Sequence, residues 1–154
     1  KYFVYEHDPA TTYIFSFNDS LNITEYKKEI RSEIKFSTGT IESSLWESMV
    51  ANDINPMLAV ELSELYAWTV DFFGLQKGDQ YKVIYEERFI EERSLGIGRI
   101  YGAEYTWAGK SFIAIPFIQD STESYYDADG ASLRKAFLKA PLRFSRISSL
   151  KSSK

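Results

Sequence analysis

The sequence predicts an α+β fold, an antiparallel β-sheet or meander with two helices packed on one face. Three observations carry this. Alternating runs of β-branched and aromatic residues occupy the chain on both sides of a central stretch. That stretch, from Ile41 to Gly74, has helical periodicity instead. Aromatic residues make up 16% of the 154 residues, a composition suited to a pleated, half-buried surface. A helical pair set between strand runs suits helices that cover one face of an antiparallel sheet.

Each element has a local reason. Tyr2, Val4 and Glu6 alternate with Phe3 and Tyr5 in the first strand, and His7-Asp8-Pro9 ends it, because Pro fixes φ and lacks the N–H. Tyr13–Phe17 is a second strand, Asn18-Asp19-Ser20 a turn, and Leu21–Thr24 opens a third. Ile30, Ser32, Ile34 and Phe36 alternate with Arg31, Glu33 and Lys35. This predicts a fourth strand, half-buried, with its apolar set on the core side.

Ser44 and Glu47 have capping-box spacing, and Ile41, Leu45 and Met49 place one apolar face on the helix they begin. Asn55-Pro56 starts the second helix, because Asn caps and Pro fits the first helical position. Leu58, Leu62, Leu65, Thr69 and Phe72 predict that it runs to about Phe73, with Gly74 as its stop. A meander follows. Tyr81, Val83, Tyr85 and Phe89 share a face of its first strand. Glu91–Gly96 reads as a charged loop, Ile97–Trp107 as the second strand, Ala108-Gly109 as a turn and Phe112–Ile118 as the third strand.

Composition excludes several functions. No Cys is present, so disulfides, thiolate nucleophiles and cysteine zinc sites are ruled out, and a single His cannot build a polyhistidine metal centre. The formal charge of −4 has the wrong sign for a nucleic-acid binder. No apolar run is long enough to span a membrane. Charge is uneven: residues 131–154 carry seven basic side chains and no acid. Such a segment reads as a basic tail lying against its own acidic domain, or as a lead towards another domain or an anionic partner.

Candidate chemistry is sparse. His7 has no orienting partner on its own strand face, since its neighbours point the other way. Asp127-x-Asp129-Gly130 opens like a calcium loop, but the stretch Leu133–Leu138 offers no bidentate Glu, so it reads as a turn. Glu86/Glu87 and Glu91/Glu92 fall in or beside a hairpin, where carboxylates are ordinarily solvated. Asp71 would oppose the dipole near a helix C-terminus and needs a hydrogen bond or a cation such as Lys77. Trp46, Trp68, Trp107, Tyr125 and Tyr126 could stack on sugars, although such residues more often fill cores.

Several phrases resemble one family. They are Ile41-Glu42-Ser43-Ser44-Leu45-Trp46, Leu65–Phe73, Gln76–Glu86, Tyr125-Tyr126-Asp127 and Ala136–Ser149. In order, and over nearly the whole chain, they look like the non-catalytic domain that precedes the catalytic domain of multidomain lysostaphin/LytM-type murein endopeptidases. The family's zinc ligands, an H-x-x-x-D and a later H-x-H motif, lie downstream of the Ala136–Ser149 phrase. His7 is followed four residues later by Thr11, so no catalytic or metal residue maps onto this chain.

The resemblance implies a single domain over residues 1–142 and a basic extended segment, 143–154, leading towards a catalytic domain. It implies zinc in that domain, none in this chain, and a cell-envelope location, periplasmic by analogy. The implied partners are the catalytic domain of the same parent chain and peptidoglycan, with no nucleic acid and no membrane span. Phe144, Arg146 and Ile147 are the expected interdomain contacts, with Trp68 and Asp71 beside them. The alternatives are a stand-alone envelope module reading glycan or protein through its aromatics, and a small carboxylate-only enzyme.

Overall fold

The computed structural model describes residues 1–18, 20–67, 69–70 and 77–135. Its strands form two antiparallel sheets. The first holds three: β1 (Tyr2–Glu6), β2 (Thr11–Phe17) and β3 (Leu21–Lys27), in that spatial order. Asp8 makes the first bend, its Oδ1 accepting from the amides of Ala10 at 2.7 Å and Thr11 at 2.8 Å.

The second sheet holds five strands in sequence order: β4 (Arg31–Thr40), β5 (Gln80–Ile90), β6 (Arg93–Trp107), β7 (Lys110–Gln119) and β8 (Thr122–Tyr126). The helices α1 (Leu45–Ala51) and α2 (Met57–Leu65) lie between β4 and β5 in sequence. The α+β class and the meander are therefore present, with the strands divided between two sheets.

The core grows from the alternation of β5. Tyr81, Val83 and Tyr85 are buried, and they cluster with Ile41, Leu45 and Met49, with Leu58, Ala59, Leu62 and Tyr66, and with Ile100, Ala103, Tyr105 and Ala114. Of the residues predicted to share the apolar helix faces, Ile41, Leu45, Met49, Leu58 and Leu62 are buried, Leu65 and Thr69 are partly buried, and Phe72 lies outside the described residues. Tyr66 donates from its hydroxyl to the Phe112 carbonyl at 2.9 Å, which ties the end of α2 to β7. Gly39 lets β4 approach this core, since a Cβ there would meet the Tyr81 hydroxyl at 2.7 Å.

Four local expectations change. First, β4 presents the opposite face. Ile34 is 68% exposed and Phe36 is 64% exposed, while Ser37 is buried. The register pairs Ser37 with Val83 and Lys35 with Tyr85, so the polar set faces inward. Lys35 is accommodated there by Glu87 and by the Phe89 ring, with Nζ 4.7 Å from the ring centroid. Inward-pointing charge is a common feature of an edge strand.

Second, the described α2 ends at Leu65, well short of Phe73. The amides of Thr69 and Val70 both donate to the Tyr66 carbonyl, and the Thr69 hydroxyl also reaches it at 3.2 Å. The regular ladder breaks just before them, where the Ala67 amide donates three residues back to the Glu64 carbonyl at 3.3 Å. Third, the loop predicted over Glu91–Gly96 shrinks to Glu91-Glu92, because β6 already starts at Arg93. Fourth, β8 is an additional strand. Asp120 and Ser121 both take positive φ, 50° and 63°, the geometry of a two-residue hairpin turn.

Caps are partly as predicted. The Ser44 hydroxyl accepts from the Glu47 amide at 3.1 Å. The Glu47 carboxylate takes the Ser43 hydroxyl. At the second helix Asn55 Oδ1 accepts from the Met57 amide at 3.0 Å.

Candidate functional site

Two polar features stand out among the described residues. The first is a buried knot where the start of α2 meets β4, β5 and β6. The Glu87 carboxylate, only 4% exposed, accepts from Lys35 Nζ at 2.7 Å, Asn55 Nδ2 at 3.0 Å and Ser94 Oγ at 2.7 Å. Asn55 Nδ2 also reaches Ser94 Oγ at 2.9 Å. Burial pushes the Glu87 carboxyl up, but hydrogen bonds from Lys35, Ser94 and Asn55, with the Lys35 charge, hold it below the ordinary glutamate range. Both carboxylate oxygens are engaged by the chain's own donors. The knot therefore clamps α2 to the sheet and is not poised for proton transfer.

Glu86, on the opposite side of β5, is also held as a carboxylate, down at about 2. Ser32, Arg88 and the Arg99 amide donate to it. Gly98 makes room for it, since a Cβ there would sit 2.4 Å from Glu86 Oε2. The Glu86/Glu87 pair thus departs from its expectation: alternation sends the two carboxylates to opposite faces, and Glu87 is buried, not solvated.

The second feature is a cleft of about 410 Å3 between α2, β6 and β8. Glu61, Glu64 and Glu123 supply its acidic wall, and Leu65, Ile100 and Tyr125 supply apolar and aromatic surface. Burial, then the neighbouring Glu64 charge, raises the Glu61 carboxyl. Glu123 pairs with Arg99. Tyr125 donates to the Ile100 carbonyl at 2.9 Å, so its hydroxyl is engaged. Besides its acids the cleft is lined by Ser124 and Arg134, and no imidazole is among its lining residues to activate the serine hydroxyl. Among the described residues no group of three or more His, Asp or Glu side chains could hold a metal.

The predicted site residues Phe144, Arg146, Ile147, Trp68 and Asp71 lie outside the described residues. Lys77, the expected partner of Asp71, pairs with Glu42 at 2.8 Å. His7 sits between the rings of Tyr5 and Tyr13, with centroids 6.1 and 6.2 Å away. Asp127 forms a turn: its Oδ1 accepts from the amides of Asp129 at 3.0 Å and Ala131 at 2.7 Å. Trp107 packs on Phe112 against the core. Trp46 is half exposed on α1 and does not line the acidic cleft.

Of the cleft acids, Glu61 and Glu64 have a visible signal, the i, i+3 spacing on one helix. Glu123 has none without β8.

The described part of the molecule is thus an α+β module with a packed core, an acidic cleft and no catalytic constellation. The chain belongs to the family of the Csd3 second domain, whose pattern matches residues 31–152. It is 34% identical over 143 residues to the peptidoglycan DD-endopeptidase ShyC of Vibrio cholerae, covering 92% of this chain and 33% of that protein. It is 27% identical over 128 residues to an uncharacterized metalloprotease of Haemophilus influenzae, covering 82% of this chain and 26% of that protein. The chain therefore spans about a third or less of the length of these curated relatives.

The fold is shared with Helicobacter pylori Csd3, in its orthorhombic crystal, at a TM-score of 0.64 and 16% identity, over 80% of this chain and 34% of that one. It is shared with a zinc-containing peptidase from Vibrio cholerae at a TM-score of 0.55 and 19% identity, over 84% and 40%. The resemblance to the non-catalytic domain of LytM-type endopeptidases agrees with these matches.

Proposed function

We propose that this chain is the accessory domain of a cell-envelope zinc metalloendopeptidase that hydrolyses peptidoglycan peptide crosslinks. It positions or gates the catalytic domain of the same parent polypeptide. One observation carries the reading: the family pattern covers 31–152, and ShyC, a peptidoglycan DD-endopeptidase about three times as long, matches over 92% of the chain. Zinc belongs in the catalytic domain, where it polarises the amide carbonyl and activates water. Residues 143–154 lead towards that domain, with Phe144, Arg146 and Ile147 as contacts and Trp68 and Asp71 beside them. The two helices cover one face of the five-stranded sheet, and the parent works in the periplasm against murein.

A stand-alone glycan-binding module has less support. Trp107 is engaged in packing, and Trp46 sits outside the acidic cleft.

The test is digestion of purified crosslinked muropeptides. This 154-residue chain is compared with the natural gene product carried past Lys154, each with and without a zinc chelator. Cleavage by the longer protein alone, abolished by chelation, is the expected result. Cleavage by the short chain, or by neither, overturns the reading.

A further inference from the structure

Among the described residues, no second layer covers the three-stranded sheet. Its register places Phe3 opposite Phe15 and Phe15 opposite Ile23, then Tyr5 opposite Tyr13 and Phe17 opposite Leu21. Because side chains alternate along a strand, all seven share one face. Five of them (Phe3, Tyr5, Phe17, Leu21 and Ile23) are 48% to 57% exposed. The other face is also open, with Tyr2 and Tyr26 exposed. Stable domains pack such a face against another layer. The five-stranded sheet does not supply that layer: its core cluster contains no residue from β1, β2 or β3.

We infer that residues 2–27 are one layer of a second domain, whose covering layer is an apolar helix or sheet face from a further stretch of the same parent polypeptide. Two observations select this occupant. The family pattern begins at residue 31, where the five-stranded sheet begins, so the first sheet falls outside that unit. The match to ShyC covers 92% of this chain and so takes in β3 and most of β2, while two thirds of that relative lies beyond the match. The sheet is thus shared with a protein that has ample chain to cover it. A segment tethered in the same polypeptide would meet this face at a high effective concentration.

A second copy of the chain is an outcome that the concentration arm of the test distinguishes. A murein glycan is disfavoured by chemistry. The Tyr13 hydroxyl and Glu25 carboxylate on this face already bond each other at 2.9 Å, leaving few polar groups to meet sugar hydroxyls. Residues 1–27 thereby leave the single domain expected over 1–142, and Lys28–Ile30 becomes the joint between two units. The inference does not depend on the parent being a peptidase.

Hydrogen exchange of this chain and of the longer natural gene product, read by mass spectrometry at two protein concentrations and with and without soluble muropeptides, tests it. The expected result is at least 10-fold slower exchange over 2–27 in the longer protein, with 80–107 alike in both. Ile23→Glu, and the milder Ile23→Thr, should restore fast exchange over 2–27 in the longer protein and leave 80–107 unchanged. Equal exchange over 2–27 in the two proteins overturns the inference. So does protection that rises with concentration, which would mean a second copy. Protection that requires muropeptides would mean a ligand surface and overturns it too.

Discussion

Glu87 shows how a residue's role is set by what surrounds it. In sequence it is one of a pair of glutamates in a strand. In the fold its carboxylate lies in the core with three donors at 2.7 to 3.0 Å. Its folded pKa lies below the unfolded value, so the stabilisation is full above the ordinary glutamate pKa and is lost as pH falls through the lower folded value. Urea midpoints at pH 7 and pH 3 should therefore fall further for the wild type than for Glu87→Gln. At pH 7, Lys35→Met leaves the buried carboxylate one donor short and should cost about 2 kcal/mol in the same titration. Tyr66→Phe removes the hydroxyl bond to the Phe112 carbonyl and should cost about 1 kcal/mol. An unchanged midpoint for either variant would contradict its assigned role.

At the scale of elements, local signals worked where the chemistry was local. Ser44 caps α1 as its spacing predicts, and Ser44→Ala should lower stability by about 1 kcal/mol by urea unfolding. The apolar faces of both helices were legible because helical periodicity and burial agree there. The orientation of β4 was not legible, since alternation shows that two faces differ but not which one the neighbouring strand turns inward. Exposed Phe36 leads to an opposite expectation from buried Val83: Phe36→Ser should shift stability by at most about 0.5 kcal/mol. Val83→Ala should cost about 2 kcal/mol. Equal losses in the two variants would mean that β4 had been oriented wrongly.

At the scale of the molecule, the described residues form a core-bearing module preceded by a three-stranded sheet that contributes nothing to that core. The acidic cleft was half readable, because Glu61 and Glu64 share a helix face while Glu123 arrives only with β8. The family was legible from phrases distributed along nearly the whole chain. The types of most elements, the Ser44 cap and the Ala108-Gly109 turn were determined by the sequence itself. Each of these depends on residue chemistry or on neighbours a few positions away. Tertiary structure alone decided that the strands divide into two sheets, that β4 turns its charges inward, and that Glu87 becomes a buried clamp. Those outcomes depend on pairing between residues far apart in the chain, such as Lys35 with Tyr85, and no local pattern encodes which partner a strand will meet.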